Sequence, residues 1–193
     1  MKKIFCVLVS VFMFTSAFAS TSVEFGLGSG FIFYGSKTLK NTIRSFDESS
    51  QVIISANVDY GISLAPQVIL SAGVDSVFDA RWKGSNHIYL WDYAAEVGFD
   101  FYPGLAGLLC SVDYCLGRRT DFIDLGTDED VTSTKWGNGF AFGLAYDFGH
   151  GRLGFAPQVG AAWRHMPRGS SSDNIIQIKL NFNIVINIIN LRL

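Results

Sequence analysis

A strict alternation of large apolar side chains with small ones is the feature that most constrains how this 193-residue chain can fold. It is clearest over residues 136–149, where Phe140 and Phe142 share one parity with other bulky residues. Gly139 and Gly143 share the opposite parity with other small residues. Successive side chains of a β-strand point to opposite faces of the sheet. The pattern therefore predicts a strand with one bulky apolar face and one face of small residues.

The same alternation recurs along the chain and predicts eight strands. They cover approximately residues 22–35, 51–64, 67–80, 88–102, 107–118, 136–148, 153–166 and 174–191. The connections alternate in kind: long or medium polar segments lie at 36–50, 81–87, 119–135 and 167–173, and tight turns at 64–67, 103–106 and 149–152. Successive connections of an antiparallel meander lie at opposite ends of the sheet, so all the longer loops are expected at one end.

The composition of the two faces predicts which one is outside. Glycine, serine, alanine, asparagine and aspartate dominate the second face, with almost no lysine, which is unlike the water-facing side of a soluble barrel. Such residues suit the interior of a narrow barrel, and the bulky apolar face suits lipid. Aromatic residues also form two predicted belts: Phe33, Phe78, Trp91, Tyr93, Trp136 and Trp163 near the long loops, and Phe25, Phe99, Phe101, Tyr146, Phe148 and Phe155 near the turns. We therefore predict an all-β fold, an eight-stranded antiparallel up-and-down transmembrane β-barrel.

The first 19 residues have the pattern of a secretory signal peptide. Lys2 and Lys3 precede a short apolar stretch, and an A-x-A cleavage signal ends at Ala19. The barrel domain is then expected to span residues 20–193. Beyond the signal no apolar run is long enough for a transmembrane helix, and the net charge of −2 gives no support for nucleic-acid binding.

The last predicted strand, residues 174–193, carries Ile176, Ile178, Leu180 and Phe182 on one face. The whole segment after the signal resembles the small eight-stranded outer-membrane barrels of the OmpA, OmpX and OmpW type. The resemblance implies that the chain is located in the cell outer membrane, in contact with the lipid bilayer and outer-membrane glycolipid. It also implies that the last strand is presented to the outer-membrane assembly machinery, although it ends in a leucine instead of an aromatic residue.

Charged residues on the inward parity predict a network inside the barrel. They are Asp59, Asp75, Asp92, Glu96, Asp113, Arg164 and Lys179. We expect ion pairs that bridge the lumen and plug it, because charges in a narrow, poorly hydrated space are costly to leave unmatched. The alternative is an acidic, water-filled path for cations. Closing residues 103–106 as a four-residue turn would place Glu96 directly opposite Asp113.

The polar segment 119–135 is a second candidate site. Its carboxylates could bind Ca²⁺, or Mg²⁺ shared with glycolipid phosphates: Asp121, Asp124, Asp128, Glu129 and Asp130. Their spacing does not match an EF-hand, so a solvated acidic loop is the simpler expectation. No Cys or His residues show metal-ligand spacing, and no metal or other cofactor is expected. Cys110 and Cys115 are too far apart along one strand to form a disulfide.

Three functions remain open from the sequence. The first is a non-enzymatic surface barrel, either structural or binding a host or environmental ligand through segments 36–50 and 119–135. The second is a narrow channel for small or hydrophobic solutes, as proposed for OmpW-like barrels. The third is an enzyme that modifies lipid A, but His87, His150 and His165 are scattered and none lies beside a serine on one strand face. An eight-stranded lumen is just wide enough for side chains, which favours the first.

Overall fold

The computed structural model describes residues 20–46, 49–105, 107–126, 129–150 and 154–187, which form one helix and nine strands. The predicted signal peptide lies outside the described residues. The elements are β1 (Ser20–Phe33), α1 (Lys37–Ser45), β2 (Ser50–Ala65), β3 (Val68–Lys83), β4 (Asn86–Phe101), β5 (Leu108–Asp124), β6 (Glu129–Ser133), β7 (Gly137–Asp147), β8 (Gly154–Arg168) and β9 (Ser171–Asn187). None of the described segments is a helix long and apolar enough to cross a membrane.

Eight of these strands close into a ring. The strands of the ring pair antiparallel in chain order, with β7 paired to β5, and β9 returns to pair with β1 over the full length of that strand. Pairing of β4 with β5 completes the circle, so the ring has no free edge. Among the described residues β6 pairs only with β5, as a short extension beyond the ring. The predicted fold class is confirmed.

The two faces of the strands are as predicted. On β7, Phe142 and Leu144 are 48% and 60% exposed on the outside, while the preceding Ala141, which has the inward parity, is 6% exposed. The small inward residues allow close approach: a Cβ on Gly139 would collide with the backbone carbonyl oxygen of His165 on β8. At this level of the ring the inward positions of β7 therefore hold small residues, and its bulky residues lie outside.

The strands extend further than the alternation predicts. The predicted loop 81–87 is mostly strand, and only residues 84–85 connect β3 to β4. Likewise only residues 169–170 of the predicted loop 167–173 connect β8 to β9, and part of segment 119–135 continues β5 and forms β6. Gly84 and Gly169, with φ of 62° and 64°, supply the left-handed conformation of the two tight turns. Loss of apolar alternation marks where the outer face becomes polar, not where the hydrogen-bonded ladder ends.

Helix α1 replaces most of the loop predicted at 36–50. Ser36 caps it, because its side-chain oxygen accepts a hydrogen bond from the backbone N–H of Leu39. Leu39, Ile43 and Phe46 recur at the spacing of one helix face and pack into an apolar cluster at the mouth of the ring. The prediction of a plain loop was wrong because this short helical period lies between two strand patterns.

The connection between β4 and β5 is longer than the predicted four-residue turn. It spans residues 102–107, where Gly104 and Gly107 have φ of 84° and 79°. The cross-strand register is therefore shifted by two residues, and Glu96 lies opposite Cys115 while Asp113 lies opposite Gly98. The predicted pairing of Glu96 with Asp113 was wrong. A shift of two leaves every side chain on its predicted face.

Candidate functional site

Arg164 of β8 reaches across the lumen to the opposite wall. Its Nη2 lies 2.7 Å from Asp92 Oδ1, and its Nη1 lies 3.0 Å from Asp75 Oδ2 and 3.4 Å from Glu96 Oε1. The arginine side chain is only 1% exposed. A planar guanidinium presents five N–H donors in a fixed fork, so one residue can join three carboxylates on two strands.

Two more cations complete this central network, which we define as Asp75, Asp92, Glu96, Arg164, Arg168 and Lys179. Lys179 Nζ lies 3.1 Å from Asp75 Oδ1. Arg168 Nη2 lies 2.6 Å from Asp92 Oδ2, and its Nη1 lies 2.8 Å from Asp173 Oδ2. Each of the three carboxylates of the network thus meets at least one cation inside the ring, and Arg168 is shared with Asp173.

A second layer of ion pairs lies towards the long-loop end. Arg119 pairs with Asp121 at 2.6 Å and also with Asp173, which links this layer to Arg168. On the other wall, the hydroxyl of Tyr34 donates to Asp79 Oδ2 at 2.7 Å. Burial and the adjacent Asp79 carboxylate raise the pKa of Tyr34 well above its ordinary value, so the phenol remains a donor.

An apolar lid closes the same end of the ring. Leu39 and Phe46, from α1 and the residue after it, are 5% and 6% exposed. They pack against Ile88 and Leu90, inward residues of β4 that are 0% and 1% exposed. A water-filled path from the long-loop end would have to pass this lid and then both layers of ion pairs.

The turn end of the lumen is different, because it contains a cavity of about 110 Å³. Asp75, Glu96 and Lys179 of the central network line its inner boundary. Four further carboxylates line it and are half-buried: Glu24, Asp59, Asp100 and Asp113. We call this space the acidic chamber. In the part of the chain that is described, none of these four half-buried carboxylates forms an ion pair.

The sequence-predicted lumen residues fall into two groups. Asp75, Asp92, Glu96, Arg164 and Lys179 meet in the central network, whereas Asp59 and Asp113 lie apart from it in the acidic chamber. The sequence reading missed several inward charged residues: Glu24, Asp79, Asp100, Arg168 and Asp173. Glu24, Asp79 and Asp100 have the inward parity of their own predicted strands. Arg168 and Asp173 lie in the predicted loop 167–173, where parity was not extended.

The predicted acidic loop does not form one cluster. Asp121 points into the lumen and pairs with Arg119, while Asp124 accepts a hydrogen bond of 2.8 Å from the backbone N–H of Gly126. Glu129 and Asp130 are exposed on β6, and Asp128 lies outside the described residues. Over the described ranges, no three Asp, Glu, His or Cys residues are placed to hold a metal ion.

The histidines and cysteines lie in separate places. His87 stacks on Tyr89, and His165 Nδ1 lies 2.9 Å from the side-chain oxygen of Asn174. Cys115 is a buried free thiol that donates to Glu96 Oε1 at 3.3 Å. None of the hydrogen bonds that the described histidines make is to a serine hydroxyl. The described chain therefore shows no assembled serine–histidine pair.

Comparison with solved structures agrees with this architecture. Ail, the attachment invasion locus protein of Yersinia pestis, matches with a TM-score of 0.57 at 9% identity, over 86% of this chain and 99% of that one. The chain has the fold of a small outer-membrane β-barrel protein. A second structure of Ail, in complex with the heparin analogue sucrose octasulfate, matches with a TM-score of 0.56 at 8% identity and the same coverage. No family model and no curated protein sequence matches the chain.

Proposed function

We propose that this chain is a non-enzymatic, non-conducting barrel of the cell outer membrane that binds ligands through its long-loop end. The observation that carries the proposal is the closure of the lumen. Arg164 joins three carboxylates across the ring, and α1 covers the mouth above it. Residues that fill a pore in this way support a scaffold for surface loops better than a channel.

The outer face of α1 supplies the candidate binding surface. Lys37, Lys40 and Arg44 are exposed on this helix, opposite the buried Leu39. Their spacing places three positive charges on the solvent side of a helix that is held in place by its apolar side. Such a surface suits an anionic ligand, either the phosphates of outer-membrane glycolipid or a sulfated host polysaccharide of the kind that sucrose octasulfate mimics. The exposed β5–β6 hairpin, within segment 119–135, is the second surface for a host or environmental ligand.

The outer face of the ring supports the membrane location. Large apolar residues around the whole ring are about half exposed, as Phe25, Ile54, Val97 and Leu180 illustrate. A surface of this size and composition in water would aggregate, whereas in a bilayer it is solvated by lipid. We further propose that the signal peptide is removed after Ala19 and that the assembly machinery recognises the last strand.

Single-channel recording in planar bilayers tests the closed lumen. The unmodified protein is expected to show no steady conductance, since the lid and the ion pairs leave no continuous water path. Conductance should appear or increase in the Arg164→Ala and Lys179→Ala variants, which remove side chains from the network. Glu129→Gln, on the exposed β6 strand, is the control and should remain silent. Steady cation-selective conductance of the unmodified protein would instead support the acidic channel.

A further inference from the structure

The acidic chamber contains four carboxyl groups that pair with no basic side chain of the described residues. Glu24 and Asp59 are direct cross-strand neighbours on β1 and β2. Asp100 and Asp113 line the same cavity from β4 and β5. The nearby Lys179 is already bound to Asp75 at 3.1 Å. Each carboxylate of the central network lies within 3.4 Å of a cation, whereas none of these four carboxylates forms an ion pair among the described residues.

Glycines in the wall keep the centre of the chamber open. Gly73 lies opposite Asp59, and Gly98 lies opposite Asp113. A Cβ on either glycine would collide with the Oδ1 atom of the facing aspartate. Each carboxylate can therefore lie flat against the neighbouring strand, and the cavity of about 110 Å³ remains between the walls.

The side-chain amides of Asn57 and Asn181 add buried oxygen acceptors to the chamber, and no donor of the described residues is bound to them. Asn57 Nδ2 donates to Asp59 and Asn181 Nδ2 donates to Glu24, each at 2.6 Å, which fixes which amide atom is the oxygen. Both oxygens lie over Gly26, and neither has a hydrogen-bond partner among the described residues.

Gln158 is a further buried amide whose side chain has no hydrogen-bond partner among the described residues. It lines the chamber at 1% exposure, and within the described chain neither of its side-chain amide atoms is hydrogen-bonded. Buried polar groups without partners are costly, so these atoms are available to a ligand or to water in the chamber.

The arrangement favours organic ammonium groups over a metal ion. Ca²⁺ takes six to eight oxygen ligands that converge on one point, and the described residues hold no group of three or more Asp, Glu, His or Cys side chains placed for a metal ion. An ammonium group carries three N–H donors and is satisfied by acceptors spread around it. The contact of Lys179 Nζ with Asp75 at the inner boundary of the chamber is an example of this chemistry within the same lumen.

We propose that the acidic chamber binds a small organic polycation of the polyamine class. The ligand enters from the turn end, because the central network and the lid close the other end. Its ammonium groups pair with Glu24, Asp59, Asp100 and Asp113, and its N–H groups satisfy the unpartnered amide oxygens. If the proposed orientation in the outer membrane holds, the periplasm supplies this ligand; the binding itself does not depend on that orientation.

Isothermal titration calorimetry with spermidine tests the site, using the full chain folded in a zwitterionic detergent. We expect saturable binding of one spermidine per barrel. The Asp59→Asn/Asp113→Asn variant keeps the shape of both side chains and removes two charges, so its Kd should be at least about tenfold weaker. Glu24→Gln should weaken binding in the same direction. The matched control, Glu129→Gln/Asp130→Asn on exposed β6, should bind as the unmodified protein does. Heat-modifiable migration on a gel verifies that each variant is folded.

A second measurement needs no variant. Esterification of carboxylates by a diazo compound, mapped by mass spectrometry, should be slowed by spermidine at the four chamber residues and unchanged at Glu129 and Asp130. Absence of saturable binding at millimolar spermidine would overturn the proposal. Equal binding by a folded chamber variant, equal esterification with and without spermidine, or complete competition by Mg²⁺ would overturn it as well, the last in favour of an inorganic cation.

Discussion

Replacing Arg164 with alanine is expected to lower the free energy of unfolding by about 3–5 kcal/mol. The substitution leaves Asp75, Asp92 and Glu96 buried with fewer positive partners, and an uncompensated buried charge costs more than the ion pair had contributed. Urea titration of the protein in lipid vesicles, followed by tryptophan fluorescence, measures the loss.

Arg81→Ala is the matched control for this experiment. Arg81 is 18% exposed and pairs with Asp79 at 3.1 Å. Asp79 keeps hydrogen bonds from Tyr34 at 2.7 Å and Gln51 at 2.9 Å when the arginine is removed. The control should therefore lose clearly less stability. Equal losses in the two variants would mean that Arg164 does not hold the lumen together.

Replacing Phe142 with arginine is expected to cost about 2–4 kcal/mol in a bilayer. Phe142 is 48% exposed on the outer face of β7, where it stacks on Trp163 with ring centroids 5.9 Å apart. A charge placed near the bilayer midplane loses its hydration, and the stacking contact is lost as well. The yield of heat-modifiable, folded protein in vesicles and its urea midpoint both measure the effect.

Phe142→Leu separates the cost of charge from the loss of the aromatic ring. Leucine remains apolar and should be tolerated in lipid with a much smaller loss. If Phe142→Arg folds into vesicles as well as Phe142→Leu does, the outer face is not in lipid. The assignment of the two faces would then have to be reversed or the membrane location abandoned.

The face of each side chain was predictable because strand parity depends only on counting residues. The unexpected register between β4 and β5 shows why this prediction is robust. The six-residue connection shifts the pairing by two, so Glu96 and Asp113 keep their inward positions although they do not face each other. Register itself was not predictable, since it depends on the turn geometry set by Gly104 and Gly107.

Membership of the central network was only partly predictable. Asp75, Asp92 and Arg164 lie within clear alternation, and parity alone brings them into the lumen. Arg168 and Asp173 lie where the outward residues become polar, so the alternation that marks a strand is absent there although the strands continue. The signal that could have found them is the inward parity extended past the last apolar residue.

The lid and the acidic chamber were not predicted because they depend on contacts between distant segments. Leu39 and Phe46 have helical spacing, but nothing local indicates that Ile88 and Leu90 lie beneath them. Similarly, parity places Asp59 and Asp113 inside the barrel, but their separation from Lys179 depends on the position of each residue along the barrel axis. Strand register, and not parity, sets that position.

Epitope insertion tests the central claim, a barrel that spans the outer membrane with its long-loop end outside the cell. One tag follows Gly126, in the exposed turn between β5 and β6, and the other follows Gly104, in the exposed turn between β4 and β5. On intact cells an antibody should bind the Gly126 tag and should reach the Gly104 tag only after the outer membrane is permeabilised. Recovery of the protein in the soluble periplasmic fraction, or binding to the Gly104 tag alone on intact cells, would contradict the account.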